Sequence, residues 1–187
     1  MALLVLPQTR LDKAVADACA RAATPEICEA LNVLTYAGDE HVLLALTAIM
    51  WIACPKHSAQ ARARLNHFAI TVAASAVLPH IFKYVIDQQR PDRRIHGPRH
   101  GIPKSGKAYD AFPSGHAVHM GALASAISRF FPRYSMAGWL FASAISGTRV
   151  ALLAHWLTDV LVGLAVGAGL ERVVAKARKT SMKSEPM

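Results

Sequence analysis

Residues 65–86 read LNHFAITVAASAVLPHIFKYVI, and the reading of this stretch decides the fold. A helix that crosses the roughly 30 Å hydrocarbon core of a bilayer needs about 20 mostly apolar residues. Leu65 to Ile86 supplies them without one acidic side chain, and Pro79 near its outer end predicts a kink. Working outward, Gly115 to Phe131, Tyr134 to Ala154 and Leu157 to Val174 read as further spans. His41 to Cys54 is short for a span and borrows part of Ile27 to Ala37. The last span contains Gly163-Leu-Ala-Val-Gly167, a seam of small residues that lets two helices approach closely. The expected architecture is all-α, an integral membrane helical bundle with about five transmembrane helices and an amphipathic N-terminal helix.

The flanks divide the chain into an interfacial helical segment over residues 1–40, a membrane domain over 41–176 and a basic, disordered tail over 177–187. Leu11, Ala14, Val15, Ala18 and Cys19 recur at helical spacing among charged residues, which predicts a helix lying on the membrane surface. Thr24-Pro25 predicts the cap and first position of a second helix, and Gly38-Asp39-Glu40 interrupts it. The opening MALLVLPQTR lacks the charged region and the apolar length of a signal peptide, so the N-terminus is expected to be retained. Cys19, Cys28 and Cys54 have no CxxC spacing and read as packing residues.

Hydrophobic residues make up 53% of the chain, and 21 Lys and Arg against 12 Asp and Glu give a net charge of +9. That charge calls for an anionic partner: nucleic acid, a membrane surface or a phosphorylated substrate. Lys56, Arg62 and Arg64, then Arg129 and Arg133, then Arg172, Lys176, Arg178 and Lys179 mark the cytoplasmic ends of the spans. The long connection from Asp87 to Phe112 then faces outward. Its Arg93, Arg94, Arg99, Lys104 and Lys107 read as a solvated face that attracts headgroups, against the orientation rule.

Cationic and histidine side chains at the edges of apolar spans are costly and mark function. Here they fall in three groups: Lys83 with Arg90-Pro91, Pro113-Ser114-Gly115-His116, and Thr148-Arg149 with His155 and Asp159. If the spans alternate in direction, all three reach the same outer face. Lys83, Arg90 and Arg149 can hold the nonbridging oxygens of a phosphoryl group. Ser114 and Gly115 at a helix start aim backbone N–H groups at the same anion. His155 and Asp159 are four residues apart, so a helix would let the carboxylate orient the imidazole as a nucleophile. His116 then serves as general acid and later as base, through a phosphohistidine intermediate.

These groups resemble the signature of the type 2 phosphatidic acid phosphatase superfamily: K-x6-R-P, then P-S-G-H, then S-R-x5-H-x3-D. Lys83, Arg90, Pro91, Pro113, Ser114, Gly115, His116, Arg149, His155 and Asp159 match it in type and spacing, and Thr148 stands where serine is usual. The resemblance covers Lys83 to Asp159 and implies a helical bundle with a metal-independent site, no cofactor, and lipid phosphate substrates. Those include phosphatidic acid, phosphatidylglycerophosphate, lipid A and undecaprenyl pyrophosphate. The compact chain and the absence of a signal-peptide pattern lead to the expectation of a bacterial inner membrane, and the orientation rule to a site facing the periplasm. Many members have six spans; here the first is expected to be missing, with the amphipathic N-terminal helix in its place on the membrane surface.

Each residue also has a plainer reading. The cations could be side chains snorkelling at span ends, the histidines packed core residues, and Asp159 a helix cap. Their joint spacing outweighs those readings. His119, one turn beyond His116, has no carboxylate or cysteine to complete a metal site and reads as lining the site or supporting it; His80, His96 and His100 are ambiguous. Asp110 and Phe112 either shape the loop or touch substrate. The alternative function is a non-catalytic lipid-binding protein on the same fold, which would show decayed catalytic positions. A nucleic-acid partner is disfavoured because no aromatic-interleaved basic surface is present, and no residue pattern sets an oligomeric state.

Overall fold

Small side chains decide which helix takes the centre of the molecule. In the computed structural model, which describes residues 4–55, 58–94, 102 and 105–184 (the last four as backbone only), α6 (Gly115–Phe130) is buried along nearly its whole length. It packs on α4 (Ala59–Val85), α7 (Ser135–Ala151) and α8 (Leu157–Ser184). The remaining helices are α1 (Arg10–Ala22), α2 (Pro25–Thr35), α3 (Glu40–Ala53) and the short α5 (Pro91–Arg94).

The closest approach is between α6 and α8. A Cβ added at Gly167 would lie 2.0 Å from the Val118 carbonyl oxygen, and one at Gly121 would lie 2.1 Å from that of Leu164. At Gly163 it would meet the Ala117 Cβ at 2.8 Å. The small-residue seam expected in the last span is therefore a backbone-to-backbone contact, formed with the help of Gly121 on the facing helix. Met120, Ala124, Ala142 and Ile145 extend the core on the other side of α6, with Leu43 of α3 and Val72 of α4.

The spans expected from sequence correspond in position to α2 with α3, then α4, α6, α7 and α8. Among the described residues, α4 meets both length and hydropathy requirements for crossing a membrane, and Pro25–Gly38 with Glu40–Ala53 meets them jointly as a pair bent by 46°. α6 and α7 have 16 and 17 residues, about 24–26 Å at 1.5 Å per residue. The bend has a local cause: the chain tightens into a turn at Tyr36–Gly38, and the Asp39 carboxylate restarts the helix by accepting from the N–H groups of His41 (2.9 Å) and Val42 (3.3 Å). Large apolar side chains point outward around the bundle, among them Ile52 at 75% exposure, Met136 at 77% and Leu140 at 65%.

One element is placed more finely and two expectations are corrected. α1 is helical and amphipathic, with Asp12, Val15, Ala16, Cys19 and Ala20 facing the bundle and Leu11, Ala14 and Ala18 facing outward. A polar contact sets this rotation. The buried Asp12 carboxylate accepts from the Thr9 N–H and hydroxyl at 3.0 and 2.8 Å, and from the Thr158 N–H and hydroxyl at 2.9 Å each, so one side chain caps two helices. Next, the tail expected to be disordered is helical to Ser184, because Ala175 to Lys179 are good helix formers and Arg178 donates to the Ala63 carbonyl at 3.0 Å. Finally, the connection from Asp87 to Phe112 is partly structured. Ile86–Asp87 pairs in parallel with Leu4–Val5 as a two-residue ladder, and Gln88 bridges to Asp110. Lys56, His96, Arg99, His100 and Lys104 lie outside the described residues. Cys19 and Cys28 pack within the apolar cluster under α1, as expected of packing residues.

Burial pushes the Asp12 carboxyl up, but the hydrogen bonds from Thr158 and Thr9 outweigh it and hold it below its usual 3.8. A lowered folded pKa contributes stability that is fully present above the unfolded value and is lost as pH falls through the folded one. Asp12→Ala is therefore expected to cost about 2 kcal/mol at neutral pH, a difference that closes only below pH 3.8. Denaturation of wild type and variant across pH checks this.

Candidate active site

α7 ends in a turn that carries the first functional group. The N–H groups of Ala154 and His155 both donate to the Arg149 carbonyl, at 3.0 and 3.1 Å, and Leu153 takes the left-handed conformation (φ 53°). A branched side chain there is strained by about 1–2 kcal/mol, so the neighbours must impose it. The Asp92 N–H donates to the Leu153 carbonyl (3.0 Å), and the Trp156 indole N–H donates to the Gln89 carbonyl (2.7 Å). Pro91 is buried at the start of α5 and begins the short helix that makes the first of these clamps.

His155 lies in this turn, before α8 begins, and so does not share a helix with Asp159. Its Nδ1 is 2.6 Å from the Ala111 carbonyl oxygen and 3.8 Å from the nearer Asp159 oxygen. A carbonyl can only accept, so Nδ1 carries the proton and Nε2 presents its lone pair. The expected orienting carboxylate is therefore replaced by a backbone carbonyl. Ala111 is itself held by its N–H to the Gln88 carbonyl (3.1 Å). Asp159 instead accepts from the Trp156 N–H at 2.8 Å, the return half of a helix cap. Burial, followed by the guanidinium groups of Arg90 and Arg149, holds the His155 imidazole well below the usual histidine range.

His155 faces a cavity of about 230 Å³ that is also lined by Lys83, Arg90, Gly115, His116 and Arg149. Side chains from α4, the α4–α5 connection, α6, α7 and the α7–α8 turn thus meet in one place. The Arg90 Nη1 is 3.4 Å from His155 Nε2 and donates to the Ala154 carbonyl at 2.9 Å. Arg90 Nε donates to Asp110 at 2.7 Å, and the other Asp110 oxygen is 3.9 Å from the Lys83 ammonium. Asp110 therefore shapes the site by aligning two cations. Arg149 makes one long contact to Thr35 (3.4 Å), and its buried Nε has no partner among the described residues. A buried guanidinium donor without an acceptor marks a place for an anion.

The other motif residues stand behind the cavity. Thr148 donates its hydroxyl to the Ile145 carbonyl at 2.6 Å, a bond that serine could equally make. Pro113 is buried, and the Ser114 hydroxyl is buried without a partner among the described residues. The Ser114 N–H, expected to face an anion, donates to the Asp159 carbonyl at 3.2 Å because close packing of α6 on α8 brings that carbonyl over it. Gly115 and His116, which follow it, keep N–H groups that a helix start leaves without intrahelical acceptors.

Sequence reasoning missed one wall. Asp39, Glu40, His41 and His80 line the cavity, and a Cβ added at Gly38 would lie 3.1 Å from the His116 ring. The Gly38-Asp39 helix break was the available signal. His119 also lines the cavity. The Ser75 hydroxyl donates to the Val72 carbonyl (2.9 Å), so at 2.8 Å it accepts from His119 Nδ1, leaving His119 Nε2 3.9 Å from Glu40. Gly106 (φ 43°) closes over Arg90, where a Cβ would come within 2.7 Å of Nη2. Among the described residues, no three His, Cys, Asp or Glu side chains converge as a metal site.

Comparison with known proteins follows the same outline. The family model of the PAP2 superfamily matches residues 64–183. A lipid A 1-phosphatase of Rhizobium johnstonii is 38% identical over 107 residues, covering 56% of this chain and 44% of that protein. One of Rhizobium etli is 37% identical over 107 residues, covering 56% and 46%. The chain thus matches less than half the length of these curated relatives. The crystal structure of Aquifex aeolicus LpxE superposes with a TM-score of 0.68 at 18% identity, over 92% of this chain and 99% of that one. That of a transmembrane PAP2 type phosphatidylglycerolphosphate phosphatase from Bacillus subtilis does so with a TM-score of 0.64 at 21% identity, over 94% and 87%. These two likenesses concern the fold.

Proposed function

Because the chain belongs to the PAP2 superfamily, we propose that it is a membrane-embedded phosphatase that hydrolyses the phosphate ester or pyrophosphate of a lipid through a phosphohistidine intermediate. The observation that carries this reading is the meeting of His155, His116, Lys83, Arg90 and Arg149 around one cavity of about 230 Å³. His155 Nε2 attacks phosphorus, forming the P–N bond as the bond to the lipid oxygen breaks. Lys83, Arg90 and Arg149, with the N–H groups of Gly115 and His116, hold the three nonbridging oxygens as charge builds on them. His116 gives its proton to the departing oxygen, then takes one from the water that cleaves the P–N bond and releases phosphate. The Ala111 carbonyl keeps the second His155 nitrogen protonated, and Asp159, 3.8 Å away, offsets the positive charge on the phosphorylated ring.

The membrane placement rests on the outward apolar belt and on the separation of two charged levels. The rise along α4 from Arg64 to Lys83 is about 28 Å, close to the roughly 30 Å of a hydrocarbon core. Arg62, Arg64, Arg129, Arg133, Arg172 and Arg178 sit at the end away from the cavity, which supports reading that end as cytoplasmic and the cavity as opening at the periplasmic face of a bacterial inner membrane. Among substrates, the relatives described as lipid A 1-phosphatases put a phosphate of lipid A first in the panel to test. Phosphatidic acid, phosphatidylglycerophosphate and undecaprenyl pyrophosphate follow.

Phosphate release by the detergent-solubilised protein on that panel is the test, and no release from any of the lipids would overturn the reading. Since cationic side chains neutralise the transferred group, EDTA is expected to leave turnover unchanged; loss of activity restored by a divalent ion would refute the assignment. The pH dependence follows from His155, whose neutral form attacks. With its pKa held well below 6.5, its acid limb in kcat/KM is expected below pH 6.5. An initial-rate pH profile with that limb at or above 6.5 would contradict the environment described for this residue.

A further inference from the structure

At the end of the bundle away from the active site, Arg64, Arg129, Arg178 and Lys179 line a cleft of about 460 Å³ together with His67. Arg64 also borders a second hollow, an apolar groove of about 410 Å³ between α3 and α4 that includes Leu46, Met50, Leu65 and Phe68. One side chain thus joins a polar chamber to an apolar one. We infer that the two together bind an anionic glycerophospholipid of the surrounding bilayer, with the headgroup phosphate among the arginines and an acyl chain in the groove.

The cleft is held in shape from behind. Glu171, fully buried, accepts from Arg129 Nε at 2.6 Å and from the Ser125 hydroxyl at 2.7 Å, and lies 2.9 Å from His67 Nε2. This network fixes Arg129 and neutralises it. Arg64, Arg178 and Lys179 keep uncompensated charge, since no acidic side chain among the described residues lines the cleft. Arg178 is positioned by its bond to the Ala63 carbonyl at 3.0 Å, and Arg64 by stacking over the Phe131 ring, with its guanidinium carbon 5.4 Å from the centroid. Phe131 in turn lines the groove. A free phosphate ion would use the cleft alone, whereas a lipid fills both hollows, and basic pockets between helices at a membrane face suit such headgroups.

The plain alternative is that these cations only orient the chain in the membrane, as do Arg172 and Lys176, which lie at the same end outside the cleft. The two ideas separate in a thermal-unfolding experiment on the full chain in detergent. His155→Ala serves as the background, so that the result does not depend on turnover. Phosphatidylglycerol is expected to raise the unfolding midpoint by about 5 °C, with phosphatidylcholine and inorganic phosphate giving much smaller shifts. Adding Arg64→Gln and Arg178→Gln should abolish the rise, and adding Arg172→Gln and Lys176→Gln should preserve it at the same net charge. Equal shifts with phosphatidylglycerol and phosphatidylcholine, or with inorganic phosphate, in the His155→Ala protein would overturn the proposal without recourse to the further variants. So would equal loss, or equal retention, in the two charge-removed pairs.

Discussion

His155→Ala is expected to lower phosphate release by about 10⁴-fold or more, the loss typical of removing a nucleophile rather than a binding contact. His155 Nε2 lies 3.4 Å from the Arg90 guanidinium, so the substitution removes the proposed attacking atom from beside a phosphoryl group held by that cation. His116→Ala should behave differently. Loss of a general acid costs about 10²–10⁴-fold with a lipid leaving group, but much less in the first step with an aryl phosphate, whose leaving oxygen needs no proton. The second step still lacks its base. Radiolabelled aryl phosphate should therefore leave an acid-labile phosphoryl group on His116→Ala protein and none on His155→Ala. Label on both, or turnover within tenfold of wild type in His155→Ala, would remove His155 from the central role.

Gly167→Ala is expected to be the most damaging change outside the cavity. The new Cβ would lie 2.0 Å from the Val118 carbonyl oxygen, which belongs to a helix backbone and cannot rotate away. α6 and α8 must move apart, and overpacking of this kind costs about 3 kcal/mol, or roughly 10 °C in the unfolding midpoint of a chain this size. Activity should fall as well, because His116 stands in the first turn of α6 and the turn bearing His155 leads into α8. Gly169→Ala, two residues on with nothing within 4 Å of its Cβ, is the control and should change neither. An unchanged midpoint in Gly167→Ala would mean that the two helices do not approach as closely as described.

The helices were legible because apolar length and small-residue spacing are properties of the chain itself. The span read over Gly115 to Phe131 ends one residue earlier, at Phe130. The one read to Ala154 stops at Ala151, because Leu152 to Ala154 form the turn that sets His155. The motif residues could be grouped for the same reason, since fixed spacings on alternating helices bring them to one end. What stayed hidden was carried by backbone atoms and by rotation. The Ala111 carbonyl that orients His155 has no side-chain signature, and an alanine gives no hint of it. The face that α1 turns to the bundle was equally hidden, because it is set by one buried aspartate bonded to Thr158 far along the chain.

The elbow between α2 and α3 divides labour along the chain. The groups that would handle phosphorus lie between Lys83 and Asp159, inside the stretch shared with the PAP2 superfamily, whereas Gly38, Asp39, Glu40 and His41 come from before it. Sequence drift ahead of residue 64 can therefore remodel one wall of the pocket while leaving the cationic and histidine groups intact, up to one limit. At Gly38 the wall already rests against the His116 ring, so even a single methyl group there would be felt by the side chain proposed to donate the proton.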